Sequence, residues 1–166
     1  DIIRNFFAPI SIIIMGLSNL FLVQLSTVKE IDYQFKILKK QIVLCFSVFI
    51  FYCLILLISK SFVENLLLGD KSIINLNLFL IIFSLAAFGS SISPVLSNFF
   101  ISINQNKYGL KATLNVFLIN LIMLPLLVYY LDFFGAIVGV ALVQILLLLF
   151  NFYYIKIIKN EVRVSN

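Results

Sequence analysis

The side chains best suited to act on another molecule lie in one apolar stretch near the middle of the chain. Between residues 78 and 103, Ser84, Ser90, Ser91, Ser93, Ser97, Asn98 and Ser102 share half of a helical wheel with Ala86, Ala87 and Pro94. Such a half-face lines a wet cavity and hydrogen-bonds a hydroxylated ligand, or it lets a second helix approach closely; both readings stand. Asn98 is the most demanding member, because an amide left unpaired in hydrocarbon is costly. Asn19 is a comparable amide in the first apolar stretch and shares a face with Ser26. Arg4, at the outer edge of that stretch, has the planar guanidinium that suits a phosphate. Arg4, Asn19, Ser91, Asn98 and Ser102 are therefore the candidate substrate-binding, cavity-lining residues.

Catalytic chemistry is poorly provided for. The chain has no histidine, the commonest metal ligand and general base. Cys45 and Cys53 are eight residues apart, about 12 Å along a helix axis, and cannot bridge each other. No two carboxylates share an apolar face, and no glycine-rich phosphate cradle, nucleophile elbow or zinc spacing occurs. Neither an enzyme active site, nor a metal, nor a cofactor is expected. The net charge of +5 comes without a basic stripe carrying interleaved aromatics, so nucleic acid is not the expected partner either.

The elements that carry these residues follow from composition. Hydrophobic residues make up 63% of the chain and charged ones 11%, where a soluble domain has roughly a quarter charged. Five apolar stretches, at about 6–28, 41–59, 78–103, 113–131 and 133–155, carry no Lys, Arg, Asp or Glu in their interiors. A run of about 20 such residues spans a ~30 Å hydrocarbon core as a helix. The pattern predicts an all-α polytopic membrane protein with five crossings. Transmembrane strands are excluded by segment length and by the lack of strict alternation. The third stretch is longer than a straight crossing needs, and Pro94 supplies a cause for a kink.

Basic residues set the orientation. The 29–40 connection, the 104–112 connection and the C-terminal tail hold nine of the twelve, against Arg4, Lys60 and Lys71 on the other side. The C-terminus is thus expected in the cytoplasm, with residues 60–77 and a tight turn at Asp132 facing outward. In the 29–40 connection Ile31, Phe35, Leu38 and Ile42 line one helical face, with the lysines mostly away from it. It reads as an amphipathic linker in the headgroup region, anchoring the protein or contacting an anionic headgroup. Asn115, Asn120 and Gln144 are single amides suited to holding helices together. Gly135 and Gly139 form a G-x-x-x-G that permits close backbone approach.

No leader peptide is read before the first stretch, and the opening at Asp1 suggests the C-terminal part of something longer. The order of features then resembles a known family. A span, a basic linker and a second span are followed by an outward loop with Leu67-Leu68-Gly69 and a Ser/Pro-bearing span. The turn Asn104-Gln105-Asn106-Lys107-Tyr108 comes next, then an Asn- and Pro-bearing span, a tight turn, and Phe134-Gly135-Ala136-Ile137-Val138-Gly139-Val140-Ala141. Over essentially its whole length, 1–166, the chain is similar to the C-terminal half of bacterial polysaccharide (O-antigen) flippases of the multidrug/oligosaccharidyl-lipid/polysaccharide exporter superfamily. The resemblance implies most of one lobe of a MATE-like two-lobed transporter in the bacterial plasma (inner) membrane. The N-terminal lobe of the same transporter would be its partner, and a lipid-linked oligosaccharide its substrate, moved from the cytoplasmic to the outer leaflet for lipopolysaccharide or other surface polysaccharide. Family members commonly meet the diphosphate with basic cavity residues. Here no span interior has one, which leaves Arg4 or the other lobe. A drug or metabolite exporter of the same superfamily, and a membrane-embedded polysaccharide polymerase or glycosyltransferase, are the alternatives. The first commonly uses an intramembrane acid and the second a large charged loop, and neither is present in this sequence.

Overall fold

The computed structural model describes residues 2–28, 30–58 and 76–165. Among them the fold is all α: helix α1 (Ile2–Thr27), α2 (Ile31–Ile58), α3 (Leu76–Ser102) and α4 (Asn106–Ser165). All four are long and apolar enough to cross a membrane. Helix is the expected outcome for such runs, because in hydrocarbon every backbone N–H and C=O must be satisfied within its own segment. Lys29, Lys60, Lys71 and the Leu67-Leu68-Gly69 loop lie outside the described residues.

α1 and α2 form an antiparallel pair. At one end the rings of Phe7 and Tyr52 stand 6.4 Å apart. At the other, the Gln34 amide donates to the carbonyls of Leu25 (3.1 Å) and Val28 (2.7 Å). Those carbonyls belong to the last turn of α1 and the residue beyond it, where no intrahelical donor remains, so a buried side chain of α2 caps α1. Asp32 in the first turn of α2 suits the positive end of that helix.

The amphipathic 29–40 segment, read as able to run into the second span, does so from Ile31: α2 continues without a break to Ile58. Its apolar face does not lie on lipid. Leu38 is buried, and the Phe35 ring packs 5.1 Å from that of Phe99 on α3. A helix continues through a change of polarity when both halves offer an apolar stripe to the same neighbours.

α3 is the central helix and packs against α1, α2 and α4. By size alone the large half of its wheel, Leu85, Phe88, Ile92, Val95, Leu96, Phe99, Phe100 and Ile103, suits lipid, yet Ile92, Val95, Leu96, Phe99 and Phe100 are at most 1% exposed. Phe88, on the same half, packs against Phe49 (5.2 Å) and Phe46 (5.6 Å). Lipid tails are as apolar as leucine, so side-chain size does not choose between bilayer and protein. α3 runs through Pro94 as uninterrupted helix. It ends where Asn104 turns left-handed (φ 54°). The Asn104 N–H then reaches Ile101 O (3.1 Å) and the Gln105 N–H reaches Phe100 O (2.9 Å). That is a Schellman stop, with asparagine in the place glycine usually takes.

α4 is 60 residues long but is broken at Asp132, whose backbone (φ 48°, ψ −133°) is non-helical. Its two arms, 106–131 and 133–165, fold back on each other. Tyr108 bonds Glu161, Asn115 bonds Tyr154, and Gly139 and Gly135 face Leu124 and Leu127. The G-x-x-x-G therefore serves close packing within this hairpin. A Cβ on Gly135 would fall on the carbonyl of Leu127, so only glycine fits there.

Candidate functional site

The polar residues of α1 and α3 meet in a seam. Ser11 and Ser91 hydroxyls are 3.2 Å apart, and the Asn98 amide donates to Ser18 Oγ at 2.8 Å and to Ser18 O at 3.4 Å. Both pairs are offset by 80 residues, so α1 and α3 run parallel and in register, with one heptad between the two contacts. Ser18 and Ser91 are 0% and 2% exposed. Small residues allow this approach, and each hydroxyl finds a partner across the seam.

The five candidate residues are thus divided. Ser91 and Asn98 face α1 and hold the two helices together. Ser102 donates to Phe99 O within its own helix at 2.8 Å. Asn19, next to Ser18, is exposed. Arg4 lies on α1, but its side chain is outside the described residues. The partner that sequence reasoning missed is Ser18. Its signal was the seven-residue spacing of Ser11 and Ser18, matched by that of Ser91 and Asn98.

Outside the seam, α3 has one uncovered strip. Ser90, Ser97 and Ile101 are exposed, and Pro94 between them is half-buried. At 100° per residue, with α1 lying toward Ser91 and Asn98 and α2 toward Phe88 and Phe99, this strip points to the side of the α1–α3 pair away from α2. Asn19 and Ser26, both exposed, fall on the same side of α1. Amide, hydroxyl and apolar groups therefore share one open face, with the seam directly behind it.

On the opposite flank α3 meets the second arm of α4 with almost no space. A Cβ on Gly89 would stand 2.6 Å from the Cβ of Gln144 and 3.0 Å from its carbonyl carbon. Of the single amides read as joining helices, Asn115 links the two arms of α4. Asn115 donates to the Tyr154 hydroxyl at 3.0 Å. At the end of the bundle that carries most of the basic residues, Tyr108 donates to Glu161 (3.0 Å), and its ring lies 5.4 Å from that of Tyr154.

Among the described residues two amides carry buried polar atoms with no protein partner: Gln41, and Asn120 through its oxygen. Gln41 is fully buried on α2, with neither its oxygen nor its nitrogen hydrogen-bonded. The register set by the Phe7–Tyr52 and Leu25–Gln34 contacts brings it level with Ser18. Among the described residues no group of three or more His, Cys, Asp or Glu side chains is placed to hold a metal.

No protein-family model, curated protein or solved structure matches this chain. Its class rests on the helices themselves: this is a multi-pass membrane protein, by the length and apolarity of four helices and by the hydrophobic surface they turn outward.

Proposed function

We propose that the chain forms five crossings of a MATE-like lobe, its broken α4 crossing twice. In that lobe it serves a flippase that carries a polyprenyl-diphosphate-linked oligosaccharide from the cytoplasmic to the outer leaflet. The reading rests first on the order of features along the chain. The single structural observation that supports it is the open polar face of α1 and α3. Asn19, Ser26, Ser90 and Ser97 offer amide and hydroxyl groups there, on helices otherwise covered in Leu, Ile and Phe. Groups of this kind hydrogen-bond sugars, and a second lobe facing them would enclose a cavity. Ser91 and Asn98 set the backbone spacing of that wall from behind. The C-terminus is cytoplasmic by the excess of basic residues on its side.

The diphosphate needs a cation near the bilayer interior. Arg4 is the candidate that this chain offers. The test is reconstitution of the protein that carries this chain into proteoliposomes with a fluorescent lipid-linked oligosaccharide, followed by a membrane-impermeant quencher. Protein-dependent transfer between leaflets is expected, with reduced transfer for Arg4→Ala and partial recovery for Arg4→Lys. Protein that is folded and leaves the lipid in its original leaflet would overturn the reading. Normal transfer in Arg4→Ala would move the anion contact elsewhere.

A further inference from the structure

Between the C-terminal half of α1 and the first turns of α2, on the flank away from α3, lies an open groove of about 700 Å³. Its walls change character along their length. Leu44 lines one end and Thr27 and Tyr33 the other, over a half-buried Ile37, with Lys36, Lys40 and Phe21 between them. The order follows from the antiparallel register of the two helices, which sets Phe21 level with the turn between Lys36 and Lys40 and Leu44 one turn further toward the apolar interior of α2. Lys36 and Lys40 are one turn apart, about 6 Å along the axis, so both ammonium groups reach one anion. No acid lines the groove. Glu30 and Asp32, the nearest acids in sequence, are exposed, and neither lysine has an ion-pair partner among the described residues. The carbonyls of Leu25 and Val28, which would repel an anion, are already taken by Gln34.

We infer that this groove is a binding site for an anionic phospholipid of the bilayer. Its phosphate sits between Lys36 and Lys40 within reach of the Tyr33 hydroxyl, and an acyl chain runs along Phe21 and Leu44. The apolar side chains of Phe21 and Leu44 beside the two lysines argue for a lipid over a soluble phosphate, because a free ion has no use for them. The site is separate from the open polar face of α1 and α3, and it stands whatever that face carries.

The experiment is native mass spectrometry of the purified protein after equilibration in vesicles of equal phosphatidylglycerol and phosphatidylcholine. Wild type is expected to retain phosphatidylglycerol with a preference on the order of tenfold or more, since each lysine near a membrane surface favours anionic lipid substantially. Lys36→Gln/Lys40→Gln should lose most of that preference. Leu44→Glu should lose it as well, with both lysines intact. Lys107→Gln/Lys111→Gln, which removes equal charge elsewhere, should keep it. Equal losses in the two double variants would overturn the site and leave only general attraction of basic residues to anionic lipid. Displacement of the retained lipid by inorganic phosphate would overturn it in favour of a soluble anion. All the altered side chains are exposed, and a melting temperature equal to wild type confirms that folding is not the cause.

Discussion

The Asn98 amide donates to Ser18 Oγ at 2.8 Å, and one heptad along the same two helices Ser11 and Ser91 meet at 3.2 Å. This pair of contacts fixes α1 and α3 parallel and in register. Interhelical hydrogen bonds in membranes are worth about 0.6 kcal/mol on average and up to roughly 1.7. A double-mutant cycle with Ser18→Ala and Asn98→Ala should therefore return a coupling of about 0.5–1.5 kcal/mol in reversible unfolding from detergent. A coupling of zero would mean that the two side chains do not bond in the bilayer.

The hairpin in α4 separates two glycines of one motif. The Cβ of Gly135→Ala would strike the backbone of Leu127, which cannot yield, whereas that of Gly139→Ala would meet only the tip of Leu124, at 2.5 Å. Gly135→Ala should cost about 3 kcal/mol or more, at or beyond the upper range of overpacking, and Gly139→Ala about 1 kcal/mol. Asp132→Gly, at φ 48°, should stabilise by about 1 kcal/mol by relieving the positive φ. Thermal melting of the three variants checks the order.

Two buried glutamines of α2 should respond in opposite directions. Gln34 satisfies two carbonyls of α1, so Gln34→Leu should cost about 1–3 kcal/mol. Gln41 bonds nothing in the protein, so Gln41→Leu should leave stability unchanged or raise it by about 1 kcal/mol. A large loss of stability in Gln41→Leu would show that an internal water or a bound group satisfies the amide.

Accessibility should follow the structure of α3 and not its polarity pattern. In a background lacking Cys45 and Cys53, cysteines at Asn19, Ser90 and Ser97 should react with a water-soluble thiol reagent if the open face lines a cavity. Cysteines at Ser91, Ile92 and Phe99 should be protected, because those positions are buried. Equal protection at all six would leave the open face against lipid or a dry interface.

Orientation can be read with reporters. Fusions at 104–112 and after Asn166 should give a cytoplasmic signal, and fusions at 66–72 the opposite one. A periplasmic signal after Asn166 would reverse the topology and remove the nine-to-three basic asymmetry as a guide.

Sequence by itself determined that the apolar runs are helical and that the chain breaks at Asp132. Uncharged apolar runs must become helix in hydrocarbon, and Asp132 interrupts two such runs with a charge where the chain must turn. The G-x-x-x-G announced a close approach, since only glycine admits one. What surrounds α3 was decided by tertiary structure alone. Hydrophobicity sorts residues between water and an apolar phase, but bilayer and protein interior are both apolar, so the pattern could not tell that Phe99 and Phe100 point inward while Ser90 and Ser97 remain open. The same reason hid the role of 31–40, whose apolar stripe suits lipid and helix equally until Phe99 is there to cover Phe35. The partner of Asn98 lies 80 residues away, and only packing could choose Ser18 from the many hydroxyls available.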